Sequence, residues 1–461
     1  MRKVVFLSAL LLCASASSFS QEAIGLRLSN YSGANGILLN PASFVGTPLK
    51  WDFNIVAVDV FAENDYVYLQ NESLISLIKR NNSSTTSTEG VTDENEVTVG
   101  YFTQLTDEKP ISGYVNVHLQ GPSLVLQNGN FSYGFTTGFR SVSSANDVHF
   151  VLGPENFADL EEGFPVGVSD FRAASLSWTE LGLHLGAKVL ENNRGKLTAG
   201  ANVKFLLGHQ AAYFENHVTT TLVKHADHTS WTGIDIDLAY STNLAETNNG
   251  FDIGNSGKGV GVDLGVMYEM QPKWKSDLPY AWKFGASIVD FGSIRFNNNA
   301  EVYNFQNDGE VIFDDDAFNN VENLDDVAAV VNDAVNGTTT PTDDLKMRLP
   351  AALSVQVDRA LPKNFYISAL TVRRIKFKAP GVDRANILAI TPRYERRWFE
   401  VATPVVLYDD KDLRLGASIK LAFLTIGSDN VLSIFRKHNF SGSDIYVALK
   451  LNPSVSYTHL R

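Results

Sequence analysis

The chain has one cysteine, Cys13, close to its N-terminus. The rest of the sequence therefore has neither disulfides nor a thiolate nucleophile. No run approaches the ~18 apolar residues that a membrane helix needs. There is no Gly-x-Ser-x-Gly, no phosphate-cradling loop and no dinucleotide fingerprint, so the sequence offers no sign of an enzyme and no cofactor is expected. Positive charge is in the minority: 38 Lys and Arg face 51 Asp and Glu, a formal net charge of −13. That balance argues against a nucleic-acid partner. The nine histidines are scattered, with His225-Ala226-Asp227-His228 the one cluster. Two histidines three apart need a further ligand to hold zinc, and His217 is the nearest candidate. A solvated turn is the simpler reading, and no metal is expected. Asp314-Asp315-Asp316 lacks the spacing and glycine of a calcium loop.

The N-terminus has the form of a secretory signal over residues 1–20. Arg2 and Lys3 precede an apolar core from Val4 to Leu12, and small residues follow from Ala14 to Ser18. Leu12 directly before Cys13 does not fit a lipidation site.

Beyond the signal, period-two alternation dominates. Leu181, Leu183, Leu185, Ala187 and Val189 alternate with polar or small residues. The turn Glu191–Gly195 follows, and the pattern resumes at Leu197, Ala199, Ala201, Val203, Phe205 and Leu207. Such alternation gives one apolar and one polar face. Each arm is about ten residues, the length a tilted strand needs to cross a bilayer. The same pattern recurs at 131–139, 260–268, 282–288 and 413–421. The expected fold is all-β: an antiparallel transmembrane β-barrel of about 14–18 strands with an outward apolar face. His184, Lys188, Asn202, Lys204, Arg414 and Lys420 then face the lumen.

Candidate strands lie near 51–62, 98–105, 112–120, 123–127, 130–142, 175–190, 196–209, 217–224, 229–241, 259–270, 281–296, 349–358, 365–375, 385–395, 397–407, 412–421, 423–428 and 443–451. If the first runs outward, the long connections 63–97, 143–174, 242–258 and 297–348 fall outside. The short ones at 128–129, 191–195, 225–228 and 359–364 fall on the periplasmic side, as barrels prefer. Short helices are expected in the outer loops. One covers Asn71–Arg80 and leads into a mobile polar stretch, Asn81–Asn95. Another lies within 297–345, where Val321, Leu324, Ala328, Val331 and Val335 form a helical stripe. That segment carries twelve Asp and Glu and no Lys or Arg. Its helix either packs on the barrel mouth, the simpler reading, or forms a lid over the pore.

Shortly before the first strand comes Ser32-Gly33-Ala34-Asn35-Gly36-Ile37-Leu38-Leu39-Asn40-Pro41-Ala42. It resembles the glycine-containing segment ending in Asn-Pro-Ala of FadL-type outer-membrane fatty-acid transporters. The resemblance implies that this segment folds back as a plug inside the barrel. Physically, Pro41 pushes Asn40 into an extended conformation, from which Asn40 can anchor a turn. Ile37, Leu38 and Leu39 are too apolar to stay free in water.

The chain also contains Ser287–Ile294, Arg393–Glu400, Gly427–Asn430 and Ser443–Val447. With these it resembles a Bacteroidota outer-membrane family of unknown function, related to FadL-type barrels and to PorV-like and PorP-like barrels of type IX secretion and gliding. The expected layout is a signal at 1–20, a plug segment at 21–50, the barrel at 51–453 and a non-native tail at 454–461. Two functions are open, with a barrel hydrolase a distant third. One is passive transport of a small hydrophobic compound across the outer membrane, with membrane lipid around the barrel. The other is an accessory barrel that binds a secretion or surface protein.

Overall fold

The computed structural model describes residues 22–82, 102–104 and 109–452, apart from short gaps at 154–155, 158, 247–253, 255, 273–277, 322, 336 and 338–339. The signal at 1–20, the tail at 454–461 and most of the polar stretch up to Asn95 lie outside the described residues.

Alternating strands of this length can satisfy their backbone groups only by pairing on both edges, and here they close into a ring of fourteen antiparallel strands. They are β1 (Trp51–Asn64), β2 (Ile111–Gln120, continued by Ser123–Asn128), β3 (Phe131–Val148), β4 (Phe171–Asn192), β5 (Gly195–Asn216), β6 (Gly257–Met270) and β7 (Trp282–Asp314). β8 (Thr342–Arg348, continued by Ala352–Leu361), β9 (Phe365–Arg374) and β10 (Ile387–Arg396) follow. The last four are β11 (Phe399–Ala402 and Val405–Tyr408), β12 (Asp412–Leu415 and Ala417–Leu421), β13 (Leu424–Ser428) and β14 (Gly442–Leu451). β1 and β14 close the ring in register from Phe53↔Leu451 to Glu63↔Gly442. β2 is broken at Gly121-Pro122, because proline has no N–H to give the ladder. Both halves of β2 still pair with β1.

Every one of the fourteen strands carries at least one exposed large apolar side chain. Val58, Leu119, Phe135, Leu185, Val203 and Leu264 belong to this belt on β1 to β6. Phe284, Val355, Ile367, Ile390, Val405, Ile419, Ile426 and Val447 continue it on β7 to β14. Residues one step along point inward and are buried, among them His184, Asn202 and Lys204. No described helix is long and apolar enough to cross a membrane.

Short turns join strands at one end, here called inner, and long connections at the other, called outer. β4 and β5 are 22 residues each and β7 is 33, more than a wall needs, so their outer ends require partners of their own. Residues 228–241 pair with β7 from Ala300 to Asp314 and with β5 from Ala212 to Asn216. Residues 220–224 pair with 228–241 and with 165–168. This corrects the expected topology: 217–224 and 229–241 are not wall strands, and the turn 225–228 lies on the outer side. Their alternation reflects an outer sheet covered on one face by the helix Leu324–Ala334. The described part of 98–105, Phe102–Gln104, likewise belongs to a small outer sheet with Val67–Glu72 and His438–Phe440. The helical stripe at 321–335 packs on the sheet through Leu324 and Ala328, beside Ile236, Tyr240 and Phe305. A helix at Leu74–Asn82 packs through Leu74 on Ile434 and Phe440.

Candidate functional site: the closed lumen

The lumen is filled from both ends. Residues 22–49 enter from the inner side as the short helices Ile24–Arg27, Gly33–Leu38 and Pro41–Ser43. Asn40 is extended (φ −148°, ψ 110°) and its Oδ1 accepts from the Ala42 N–H at 2.9 Å. Its Nδ2 donates to the Val266 carbonyl at 3.3 Å. The wall makes room for this turn. Ser132, Gly186, Gly200, Gly265 and Ser287 stand opposite one another in successive strands from β3 to β7. A Cβ on Gly200 would lie 2.3 Å from the Pro41 carbonyl oxygen, and one on Gly265 would lie 2.2 Å from Asn40 Oδ1. Glycine is what lets backbone approach backbone this closely. Wall side chains then bond the carbonyls of the segment: Ser287 Oγ donates to Leu39 at 2.7 Å and Thr198 Oγ1 to Ala42 at 3.2 Å. Asn202 Nδ2 donates to Ile37 at 2.9 Å and Lys196 Nζ to Gly46 at 3.0 Å.

From the outer side, residues 375–386 cross the mouth as a strap. The Arg348 N–H donates to the Pro380 carbonyl (2.8 Å) and the Val382 N–H to the Arg348 carbonyl (3.3 Å). On the opposite wall, Ser144 Oγ accepts from the Asp383 N–H at 3.0 Å, and Arg172 donates to the Phe377 carbonyl at 3.1 Å. Burial pushes the Asp383 carboxyl above its ordinary range, against the pull of Arg374 and Arg172.

Below the strap the lumen wall is apolar on the side of β3 to β8, whereas β1, β12 and β14 place the buried charges of Glu63, Arg414 and Asp444 on the other side. Val142, Leu176, Trp178, Leu206, Ile294, Phe296 and Met347 are buried on the apolar side with Val382 from the strap.

Strap and N-terminal segment meet at Asp290. A β-bulge opposite Asp263 sets this residue at φ 55°, a conformation aspartate tolerates better than most residues. The bulge aims both carboxylates into the lumen, where the Asp290 N–H donates to Asp263 Oδ1 at 2.7 Å. Asp290 Oδ1 accepts from Arg140 (2.8 Å) and Lys204 (2.7 Å), and its Oδ2 from Arg384 of the strap (2.6 Å). Lys204 also pairs with Asp263 at 2.8 Å. Arg384 reaches Glu22 of the N-terminal segment at 2.9 Å, and Glu22 pairs with Arg27 at 3.1 Å. Each charge in this network of Asp263, Asp290, Arg140, Lys204, Arg384, Glu22 and Arg27 has a partner, as burial demands.

Of the six polar positions singled out from the sequence, three come together. His184 and Asn202 are bonded at 2.8 Å, and Lys204 joins Asn202 through Asp263. The others lie apart. Lys188 pairs with Glu191 beside the inner turn, at 2.8 Å. Arg414 pairs with Glu63 at 2.7 Å and stacks on Tyr408. Lys420 sits over the Tyr31 ring, 4.8 Å away, and 3.9 Å from Glu400. Asp263, Asp290, Arg140, Arg384 and Glu22 were not singled out. The cue available was an acid within an otherwise apolar and glycine strand, at Asp263 and again at Asp290.

The fold and the filled lumen together define a plugged β-barrel. The chain belongs to a family of unknown function (DUF5723), whose model matches residues 41–429. No curated protein matches it in sequence. Among solved structures it is similar to the toluene transporter TbuX of Ralstonia pickettii, with 10% identity, TM-score 0.41, and coverage of 95% of this chain and 99% of that one. The Pseudomonas putida toluene transporter TodX gives 12% identity, TM-score 0.42, and 94% and 99% coverage. A Pseudomonas aeruginosa FadL homologue gives 9% identity, TM-score 0.24, and 94% and 96% coverage.

Proposed function

We propose that this chain is an outer-membrane barrel for passive, gated passage of a small hydrophobic compound. The observation that carries this is the apolar lining of the lumen on the β3–β8 side, roofed by a strap. The compound passes along these apolar side chains when the strap 375–386 lifts, and continues when residues 22–49 leave their seat. Hydrogen bonds and ion pairs tie both inserts to the wall, and residues 22–49 also pack on it through Ile24, Leu26, Ile37, Leu39 and Phe44; neither insert is a strand of the ladder, which suits segments that must move. The apolar belt on all fourteen strands supports lipid as the surrounding medium. A monoaromatic hydrocarbon such as toluene is a suitable probe. Cells carrying the chain should take it up faster than cells without it, and Leu176→Arg, which places a charge in the lining, should return uptake to the control. Equal uptake with and without the chain would overturn this reading. That result would favour the second reading, a barrel that binds a secretion or surface protein, whose motive is the ordered acidic outer layer.

The membrane placement has its own test. Leu185 is 61% exposed in the belt. Leu185→Arg should cost roughly 2–4 kcal/mol if it sits near the bilayer midplane. Folding yield into lipid vesicles, read by heat-dependent gel mobility, measures this. A yield equal to that of the parent chain would place Leu185 in water.

A further inference from the structure

The outer sheet contains an arrangement that passage does not use. Glu215, near the outer end of β5, stands directly opposite Asp237 of the strand 228–241. Like charges so placed repel, and sheets disfavour the pairing. His217 joins them. Its Nε2 is 2.8 Å from Asp237 Oδ2, and its Nδ1 is 3.9 Å from Glu215 Oε2. One ligand atom from each of the three residues lies within 4.8 Å of the others. In a tetrahedral site with bonds of ~2.0–2.1 Å, ligand atoms stand roughly 3.3 Å apart, so a small adjustment would fit these three around one ion.

Groups outside the trio hold the carboxylates in place. Arg172, opposite Glu215 on β4, donates to Glu215 Oε1 at 2.7 Å, and the Tyr213 hydroxyl donates to Oε2. Asn304, opposite Asp237 on β7, donates to Asp237 Oδ1 at 2.7 Å. Metal-binding carboxylates are commonly oriented by partners of this kind. Glu215 and Asp237 are partly buried and His217 is exposed, which leaves a solvent side for a water ligand.

We propose that Glu215, His217 and Asp237 bind a divalent transition-metal ion, with zinc the best match. One imidazole and two carboxylates, completed by water, form a donor set that zinc accepts. The ion would neutralise the facing carboxylates and tie the strand 228–241 to β5. The outer hairpin would then be fixed to the wall by a bond that chelators can remove.

The test is calorimetric titration of zinc chloride into the full chain in detergent, after treatment with a chelator. One site is expected. His217→Ala and Asp237→Asn should each weaken it by roughly tenfold or more, having removed a ligand. Asn304→Ala, which removes only an orienting partner, should weaken it by about 10–100-fold. The double variant His225→Ala and His228→Ala controls for the other histidine cluster, whose rings stack at 4.3 Å, and should bind as the parent does. Heat-dependent gel mobility checks that each variant is folded. The proposal is overturned if the parent takes up no zinc and the trio is an ion pair only. It is equally overturned if His217→Ala binds as well as the parent, or if binding is lost only in the His225 and His228 variant.

Discussion

Asp290→Ala is expected to loosen both inserts at once and to lower the thermal midpoint of the barrel sharply. The Asp290 carboxylate accepts from Arg140, Lys204 and Arg384. Without it, three buried cations are left with Asp263, Glu180 and Glu22 as the remaining nearby anions. Removing one partner from a buried ion pair typically costs about 3–5 kcal/mol, because the remaining charge is uncompensated. The strap and the N-terminal segment also lose the residue through which they are joined. Asp290→Asn separates charge from backbone strain, since asparagine tolerates the same left-handed conformation. It should keep the bulge, and with it the β6–β7 pairing, yet both Asp290→Asn and Asp290→Ala should conduct ions once the inserts loosen. Thermal midpoints from gel mobility and conductance in a planar bilayer provide the readout. A parental midpoint in Asp290→Ala would remove the node from the account.

The second large effect is expected from the wall. Gly200→Leu leaves the N-terminal segment chemically unchanged but takes its seat. The new side chain would begin 2.3 Å from the Pro41 carbonyl oxygen, and the neighbouring contact is the Ala42 backbone at 2.7 Å. Backbone on both sides leaves no flexible side chain to move aside. The β4–β5 and β5–β6 ladders are long, so the wall should hold and the segment should be expelled. Residues 22–49 should then be cut by a protease added from the inner side, while the barrel keeps its heat-dependent mobility. Gly265→Leu should act in the same way through Asn40. Continued protection of residues 22–49 in both variants would show that the segment does not occupy this groove.

The wall of the barrel was largely legible because alternation records which residues have two different environments. It does not say what those environments are. Residues 217–241 alternate as well as any wall strand, yet their apolar face is covered by a helix and their partners are the overlong ends of β5 and β7. Reading them as wall strands also moved the turn 225–228 to the wrong side. The strap left almost no trace. Residues 375–379 alternate only briefly before Pro380 and Gly381 break the pattern, as in an ordinary surface loop. Only the structure places Val382 in the lumen lining and Arg384 against Asp290. The glycine row was visible as a polar face in each strand. Its meaning depends on register, because Gly186, Gly200 and Gly265 form one groove only when the strands stand in the observed alignment. The same holds for Asp290, whose partners Arg140 and Arg384 are 150 and 94 residues away in sequence. Short-range pattern cannot connect such pairs.

Two inserts meeting at Asp290 close the lumen. Single-channel conductance in a planar bilayer tests this most directly, comparing the intact chain with a variant that lacks residues 22–43 and has residues 376–385 replaced by a short glycine-serine link. The intact chain should give no steady conductance, and the variant should give large ohmic steps. Steady pore-like conductance from the intact chain, or a variant as silent as the parent while still folded, would contradict the account.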